Sequence, residues 1–398
     1  MRNVSKQVWH FPSTETGSYL LTDVLGFNIT DGTNNAPGNY TVTVNNIGGQ
    51  YKTDSLVPVD YGDILKIEVS EDSASYRPLV LGKIEDEGYD LSIGRNVKVI
   101  KGFSLNKEFQ NYMISDSVES GLTYSDGTIT YDYDSISSRG VLKFIINEHI
   151  NGASAGFLNI DFTDYVDSNS GCKLWKTQIG ADFYKAWTNT TVGTVLDEIS
   201  TNEFTGNGDY LFYIDEEYKV HFEPKGFITS TINLEEGVNI IDYKLNRSIK
   251  PKYNAVIVFC GNRADGKPIN VAGYNGKIIS EYNGFKWGYV NRGNLYNNIK
   301  NSFPLYTEAE LISKTKSDGK NIARNLSANE GEPKWSAGIK LKGSSYYTLS
   351  SGLDININLP TAGNSFENVK FNLEGVKQSF KNNSWQTTVD LAEKRDES

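Results

Sequence analysis

The sequence predicts a mainly β protein with minor α content: two barrel-like modules, an α/β domain between them, and an insertion in the second module. Three observations carry that expectation. Near the C-terminus, apolar and polar residues alternate with period two in three stretches: Leu353, Ile355, Ile357 and Leu359 against Asp354, Asn356 and Asn358; Val369, Phe371 and Leu373 against Lys370, Asn372 and Glu374; Trp385, Thr387, Val389 and Leu391 against Gln386, Thr388 and Asp390. Such alternation marks antiparallel strands with one buried face. The pattern also occurs twice, because Gly62, Leu65, Ile67 and Val69 enclose Lys66 and Glu68 as Gly352, Ile355, Ile357 and Leu359 enclose Asn356 and Asn358. A second strand follows each copy, at 79–84 and 369–376, so one module reads as used twice. Finally, 24 Tyr, 18 Phe and 6 Trp among 398 residues are too many for a disordered chain, while Gly and Asn clusters such as 31–39 supply the turns of a β-rich fold.

In chain order, residues 1–36 read as an arm or first hairpin closed by turn chemistry at Asp31, Gly32, Asn34, Asn35, Pro37 and Gly38. Strands at 40–44, 64–69, 79–84 and 97–100 complete a first barrel over 1–103. A middle α+β domain is expected over 104–235. Within it 141–146 is nearly all apolar, as in a strand covered on both faces. Thr191 caps a short helix with Val192, Val195, Leu196 and Ile199 on one face and Asp197 and Glu198 toward solvent. A hairpin follows, 211–214 against 218–222, turning through Asp215, Glu216 and Glu217. Strands at 236–245 and 253–260 open the second barrel, placed at 236–262 and 335–393. Its insertion, 263–334, holds a helix at about 307–328, with a Thr307/Glu310 capping box, a Tyr306–Leu311 staple and a weakening Gly319. The charged residues after Leu391 read as a frayed tail.

Chemistry is sparse. His10, His149 and His221 are the only histidines and have no metal-ligand spacing. The acidic runs 85–87 and 215–217 read as solvated turns, in which adjacent side chains diverge and cannot act as a paired acid and nucleophile. Asp132 and Asp134 lack a full calcium loop, and no Walker-type phosphate loop is present. Hence no catalytic, cofactor or metal residue is expected. The formal charge of −10 argues against a protein that grips duplex DNA through clustered cations. It suits ordinary solubility or a pore through which DNA passes without sticking. Two cysteines, Cys172 and Cys260, form no scaffold, and whether they pair stays open. Neither a signal peptide nor a membrane span is expected. Aromatics crowd the Gly- and Asn-rich part of the insertion: Tyr282, Phe285, Trp287, Tyr289 and Tyr296. They form either the insertion's own core or a partner or sugar contact.

The helix and hairpin over 191–224, followed by the run 236–261 and the repeated Gly-led strands, resemble in their order the tail hub proteins of tailed phages, prophages and related contractile injection systems. The resemblance covers the chain from about Asp60 onward. It implies two tube-type β-barrels per chain and a homotrimeric ring whose six barrels meet the hexameric tail tube. Such a ring joins the tube to the tail tip or spike and leaves a channel for DNA. The implied partners are the tail tube protein, a spike or tip protein, the tape measure protein and other baseplate subunits. No sequence-specific nucleic-acid binding is implied, and the protein would be made in the host cytoplasm and reside in the virion. Lys66, Glu68, Asn356 and Asn358 would face the channel or a neighbouring subunit, and Phe285, Trp287 and Tyr289 a partner. A receptor- or carbohydrate-binding tail protein and a cell-wall glycoside hydrolase are the alternatives. No β-helical repeat or lysozyme-like segment follows the second barrel, so a spike or wall-cutting activity would belong to another chain.

Overall fold

The computed structural model describes residues 5–13, 17–32, 37–51, 58–70, 75–92, 95–114, 118–119, 122–125, 128–131, 186–187, 189–200, 210–215, 218, 220–224, 229–247, 253–274, 284–331, 335–342, 346–363, 366–381 and 384–393. The protein is mainly β with a few helices, as the residue patterning predicts.

Seven strands make the first array: β1 (Ser5–Phe11), β2 (Tyr19–Leu20), β3 (Val24–Thr30), β4 (Asn39–Asn45), β5 (Ile64–Ser70), β6 (Arg77–Ser92) and β7 (Arg95–Ser104). They pair antiparallel in the order β3-β4-β7-β6-β5-β1-β2. The array curls on itself, since Val8 of β1 and Phe27 and Ile29 of β3, far apart in that order, share one core with Val42, Leu65, Ile67, Ile84 and Ile100. The N-terminal stretch is therefore part of this wall. Tyr40 lies across β6 and β7 where a side chain at Gly82 or Gly102 would collide with it, and its hydroxyl donates to the Gly82 carbonyl at 3.3 Å. Glycine at both positions makes room for the ring.

The middle segment adds α1 (Glu108–Asn111), β8 (Met113–Ile114), β9 (Thr190–Thr191), α2 (Val192–Ser200), β10 (Tyr210–Ile214) and β11 (Val220–Pro224). Thr191 caps α2 as predicted, its Oγ1 accepting from the Thr194 amide at 3.2 Å, and Val192, Val195 and Leu196 are buried. The hairpin pairs Tyr210 with Pro224 through to Ile214 with Val220. Phe109 and Phe212 meet edge to face at 5.5 Å, tying α1 to the hairpin. The expected strand at 141–146, Asp132, Asp134, His149 and Cys172 lie outside the described residues, as do the side chains of Glu198 and Ile199.

After β12 (Thr229–Glu235) and β13 (Ile240–Arg247) comes the inserted unit: β14 (Ala255–Asn262), β15 (Pro268–Tyr274), β16 (Trp287–Asn291), α3 (Leu295–Ser302) and α4 (Glu308–Gly331). The apolar strand near 253–260 does not open the second barrel. It is the centre of a separate three-stranded sheet, β15-β14-β16, whose buried face, Val256, Val258, Cys260, Ile269 and Val271, packs on Leu311, Ile322 and Ala323 of α4. Gly319 is the point of closest approach: a Cβ there would stand 2.5 Å from Cys260 Sγ and 2.6 Å from Val271 Cγ2. The capping box forms as predicted, with Thr307 N–H and hydroxyl both donating to Glu310 Oε2 at 2.7 Å. Tyr306 stacks on Phe303 at 4.6 Å.

The last strands are β17 (Trp335–Leu341), β18 (Asp354–Asn358), β19 (Val369–Lys381) and β20 (Ser384–Glu393). With β12 and β13 they enclose a second core of Leu234, Ile339, Ile355, Ile357, Phe371, Leu373, Val389 and Leu391. β12, expected to belong to the middle domain, pairs in parallel with β18. Two predicted outward residues are buried instead: Asp354 and Asn372 face each other across β18 and β19, Nδ2 donating to Oδ1 at 3.1 Å. Leu211 from the middle hairpin fills the space beside neighbouring Gly352, which covers that part of the strand pair. β19 is long enough to serve both arrays. Its C-terminal half pairs with β3, Lys377 opposite Thr30 to Lys381 opposite Gly26, and joins all 13 strands into one sheet. Phe380 of β19 thus enters the first core, while Phe371, Leu373 and Val376 fill the second.

Candidate assembly surfaces

Period-two geometry turns Lys66 and Glu68 to the same face of β5, away from Leu65, Ile67 and Val69. Lys66 Nζ lies 2.7 Å from Glu68 Oε1, and Trp9 of neighbouring β1 donates its indole N–H to Glu68 Oε2 at 3.0 Å. Asn356 and Asn358 occupy the matching face of β18, where Asn356 Nδ2 donates to Asn233 Oδ1 of β12 at 3.2 Å. The two pairs lie in different arrays and are not brought together. Each is an ordered polar strip on the outside of its own array.

The insertion aromatics divide. Tyr296 is buried in the core of the inserted unit, and its hydroxyl donates to Glu308 at the start of α4. Burial and that carboxylate push its phenol up to about 12. Tyr282 lies outside the described residues. Phe285, Trp287 and Tyr289 are exposed, together with Tyr274, on the side of the sheet turned away from α4. Phe285 and Trp287 stack face on face at 5.4 Å, and Tyr274 abuts Phe285 edge-on at 6.0 Å. Phe285 and Trp287 thus each cover one ring face with the other and remain part of an exposed aromatic group.

Titratable groups are tied up in structure. The run 85–87 is not a turn but part of β6, where neighbouring side chains alternate faces. Asp86 pairs with Lys101 at 2.7 Å, and Glu87 lies 2.5 Å from the fully buried Lys98. Lys98 Nζ also donates to the carbonyls of Tyr51 and Val59, at 2.8 and 2.6 Å, and so pins both ends of the β4–β5 connection. His10 is fully buried against Asp63 at 2.7 Å, and His221 meets Asp215 at 2.8 Å while stacking on Tyr213. None of these pairs is visible as a sequence motif, because the partners are brought together by strand pairing. Among the described residues no group of His, Cys, Asp and Glu could hold a metal ion, and no helix is long and apolar enough to cross a membrane.

The whole architecture, arrays, middle segment and inserted unit together, is similar to solved tail proteins, two of them from prophages. The 43 kDa tail protein of prophage MuSo2 from Shewanella oneidensis aligns over 97% of this chain and 98% of its own, with a TM-score of 0.58 and 11% identity. A tail protein from Neisseria meningitidis MC58 aligns over 98% and 96%, at 0.59 and 10%. Prophage tail protein gp18 from Listeria monocytogenes EGD-e aligns over 98% and 95%, at 0.55 and 13%. No protein-family profile matches the sequence, and no curated protein does. The chain therefore has the fold of phage tail proteins, the class to which its strand patterning and element order already bear a resemblance. At this identity the likeness is one of fold.

Proposed function

We propose that this protein is a structural subunit of a phage-type tail or baseplate hub: three copies form a ring that joins a hexameric tail tube to the tip or spike and leaves a channel for DNA. The observation that carries the reading is a likeness to prophage tail proteins that spans nearly the full length of both partners, inserted unit included. The paired strand arrays give it a physical logic. Two similar arrays per chain let three chains offer six comparable faces to a six-fold tube, while the inserted unit breaks that equivalence on the tip side. An obligate ring of this kind buries more than about 2,000 Å² per interface. In this reading the polar strips of Lys66 and Glu68 and of Asn356 and Asn358 face the channel or the adjoining subunit. The exposed aromatic group of Phe285, Trp287 and Tyr289 contacts another baseplate subunit. The tube, tip or spike and tape measure proteins are its partners, the particle is its location, and the role requires no catalysis.

Electron microscopy of the purified protein, alone and mixed with tail tube protein from the same particle, tests this directly. Rings with three-fold symmetry and a central opening, stacking on the tube end, are expected. Particles without rotational symmetry in both samples would overturn the reading.

A further inference from the structure

A pocket of about 350 Å³ lies on the seam between the two strand arrays, at the small end of the roughly 300–1,000 Å³ range of ligand sites and in a place such sites favour. Its first wall comes from the end of β3 and the start of β6, with Ile29, Asp31, Arg77 and Leu79; its second comes from β19 and the turn before β18, with Val376 and Leu349. Ile29, Leu79, Leu349 and Val376 give the pocket an aliphatic side, Thr348, Ser350 and Gln378 add polar groups, and two opposite charges line the same space without pairing. Asp31 Oδ1 accepts the Gly32 amide at 2.8 Å and Oδ2 the Ser351 amide at 2.7 Å, and its carboxylate has no cationic partner among the described residues. Burial pushes this carboxyl above its ordinary range, as expected where only neutral donors answer it. The Arg77 side chain is exposed at the mouth, with no hydrogen bond or ion pair among the described residues.

We propose that the seam pocket binds a small apolar zwitterion, an α-amino acid of the leucine or phenylalanine kind, with its ammonium toward Asp31, its carboxylate on Arg77 and its side chain against Ile29, Leu79, Leu349 and Val376. Opposite charges held apart in one pocket select a ligand that carries both signs, since a simple anion or cation satisfies one wall and is repelled by the other. A guanidinium takes a carboxylate with two parallel hydrogen bonds, which fixes the ligand's orientation. The inference stands apart from the hub reading and needs no oligomer.

Isothermal titration of the full chain with free leucine and free phenylalanine tests it, with N-acetyl-leucine and leucinamide as probes lacking one charge each. Saturable binding of the free amino acids is expected. Each blocked probe, and the Arg77→Gln variant, should bind about tenfold or more weakly, the size of one charge-assisted hydrogen bond. Because Arg77 is exposed, that variant folds even where Asp31→Asn does not, and circular dichroism checks both. Absence of saturable heat with either amino acid overturns the proposal, as does unchanged affinity in Arg77→Gln.

Discussion

His10 and Asp63 show how a single pair organises a segment. Burial alone would push the Asp63 carboxyl up, but hydrogen bonds from His10, the Ser13 amide and the Asp60 amide outweigh it and hold the group below the ordinary carboxylate range. A folded-state pKa depressed in this way stabilises the fold above the unfolded value of about 3.9, and the contribution disappears as pH falls through the lower folded value. Urea midpoints measured from pH 6 down to pH 3 should therefore fall for the wild type and fall less for Asp63→Asn. The variant should start about 1–3 kcal/mol less stable at pH 6, having lost a buried acceptor; parallel pH profiles would show that Asp63 carries no such linkage. Cys260 makes a simpler case. Burial, with Asp318 nearby, pushes its thiol up to about 11, and the thiolate is the reactive form. Peptide mapping after iodoacetamide treatment at pH 8 should find Cys260 unlabelled in the native protein and labelled in urea. These residues also mark where sequence reading stops. Lys98, His10 and His221 draw their meaning from partners that only the sheet register supplies.

Among the elements, α4 was the most legible, because its start signal is local: Thr307 and Glu310 close on each other within one turn. Thr307→Ala should cost about 1 kcal/mol in denaturant unfolding. Gly319 was read as a helix weakness, and its packing gives the reason it is tolerated. Alanine there would gain about 1 kcal/mol of helix propensity but drive a methyl into Cys260 and Val271, an overpacking cost of about 1–3 kcal/mol. The steric term wins at contacts this short, so Gly319→Ala should lower stability and adding Val271→Ala should restore part of the loss; a simple sum of the two single effects would remove the steric explanation. β14 was placed in the wrong sheet because an apolar run fits any covered strand. Its pairing is decided by 268–274 and 287–291, which lie beyond it in the chain. Alternation read β18, β19 and β20 correctly, but a period-two pattern says only which side is polar. It could not show that Leu211 packs beside Gly352 where Asp354 and Asn372 pair.

For the whole molecule, the Gly-led repeats at 62–69 and 352–359 each supply a strand, one in each array, whereas the fusion of both arrays was not legible. It depends on β19 running past its own array to pair with β3, and strand length is the least local of sequence signals. Because this strand feeds both cores, the arrays should unfold together. In native-state hydrogen exchange, amides of Val42 and Ile100 should lose protection in the same step as those of Ile339 and Val389. Phe380→Ala, at about 3–5 kcal/mol, should weaken both sets equally; loss confined to the first set would mean that the arrays are energetically separate. The same rigidity suits a ring in which each chain holds two faces at a fixed angle. The most direct test of that assembly is the solution mass by light scattering across a range of concentration and salt. A persistent species near three times the 44.3 kDa chain mass is expected; a monomer under every condition would rule out the ring.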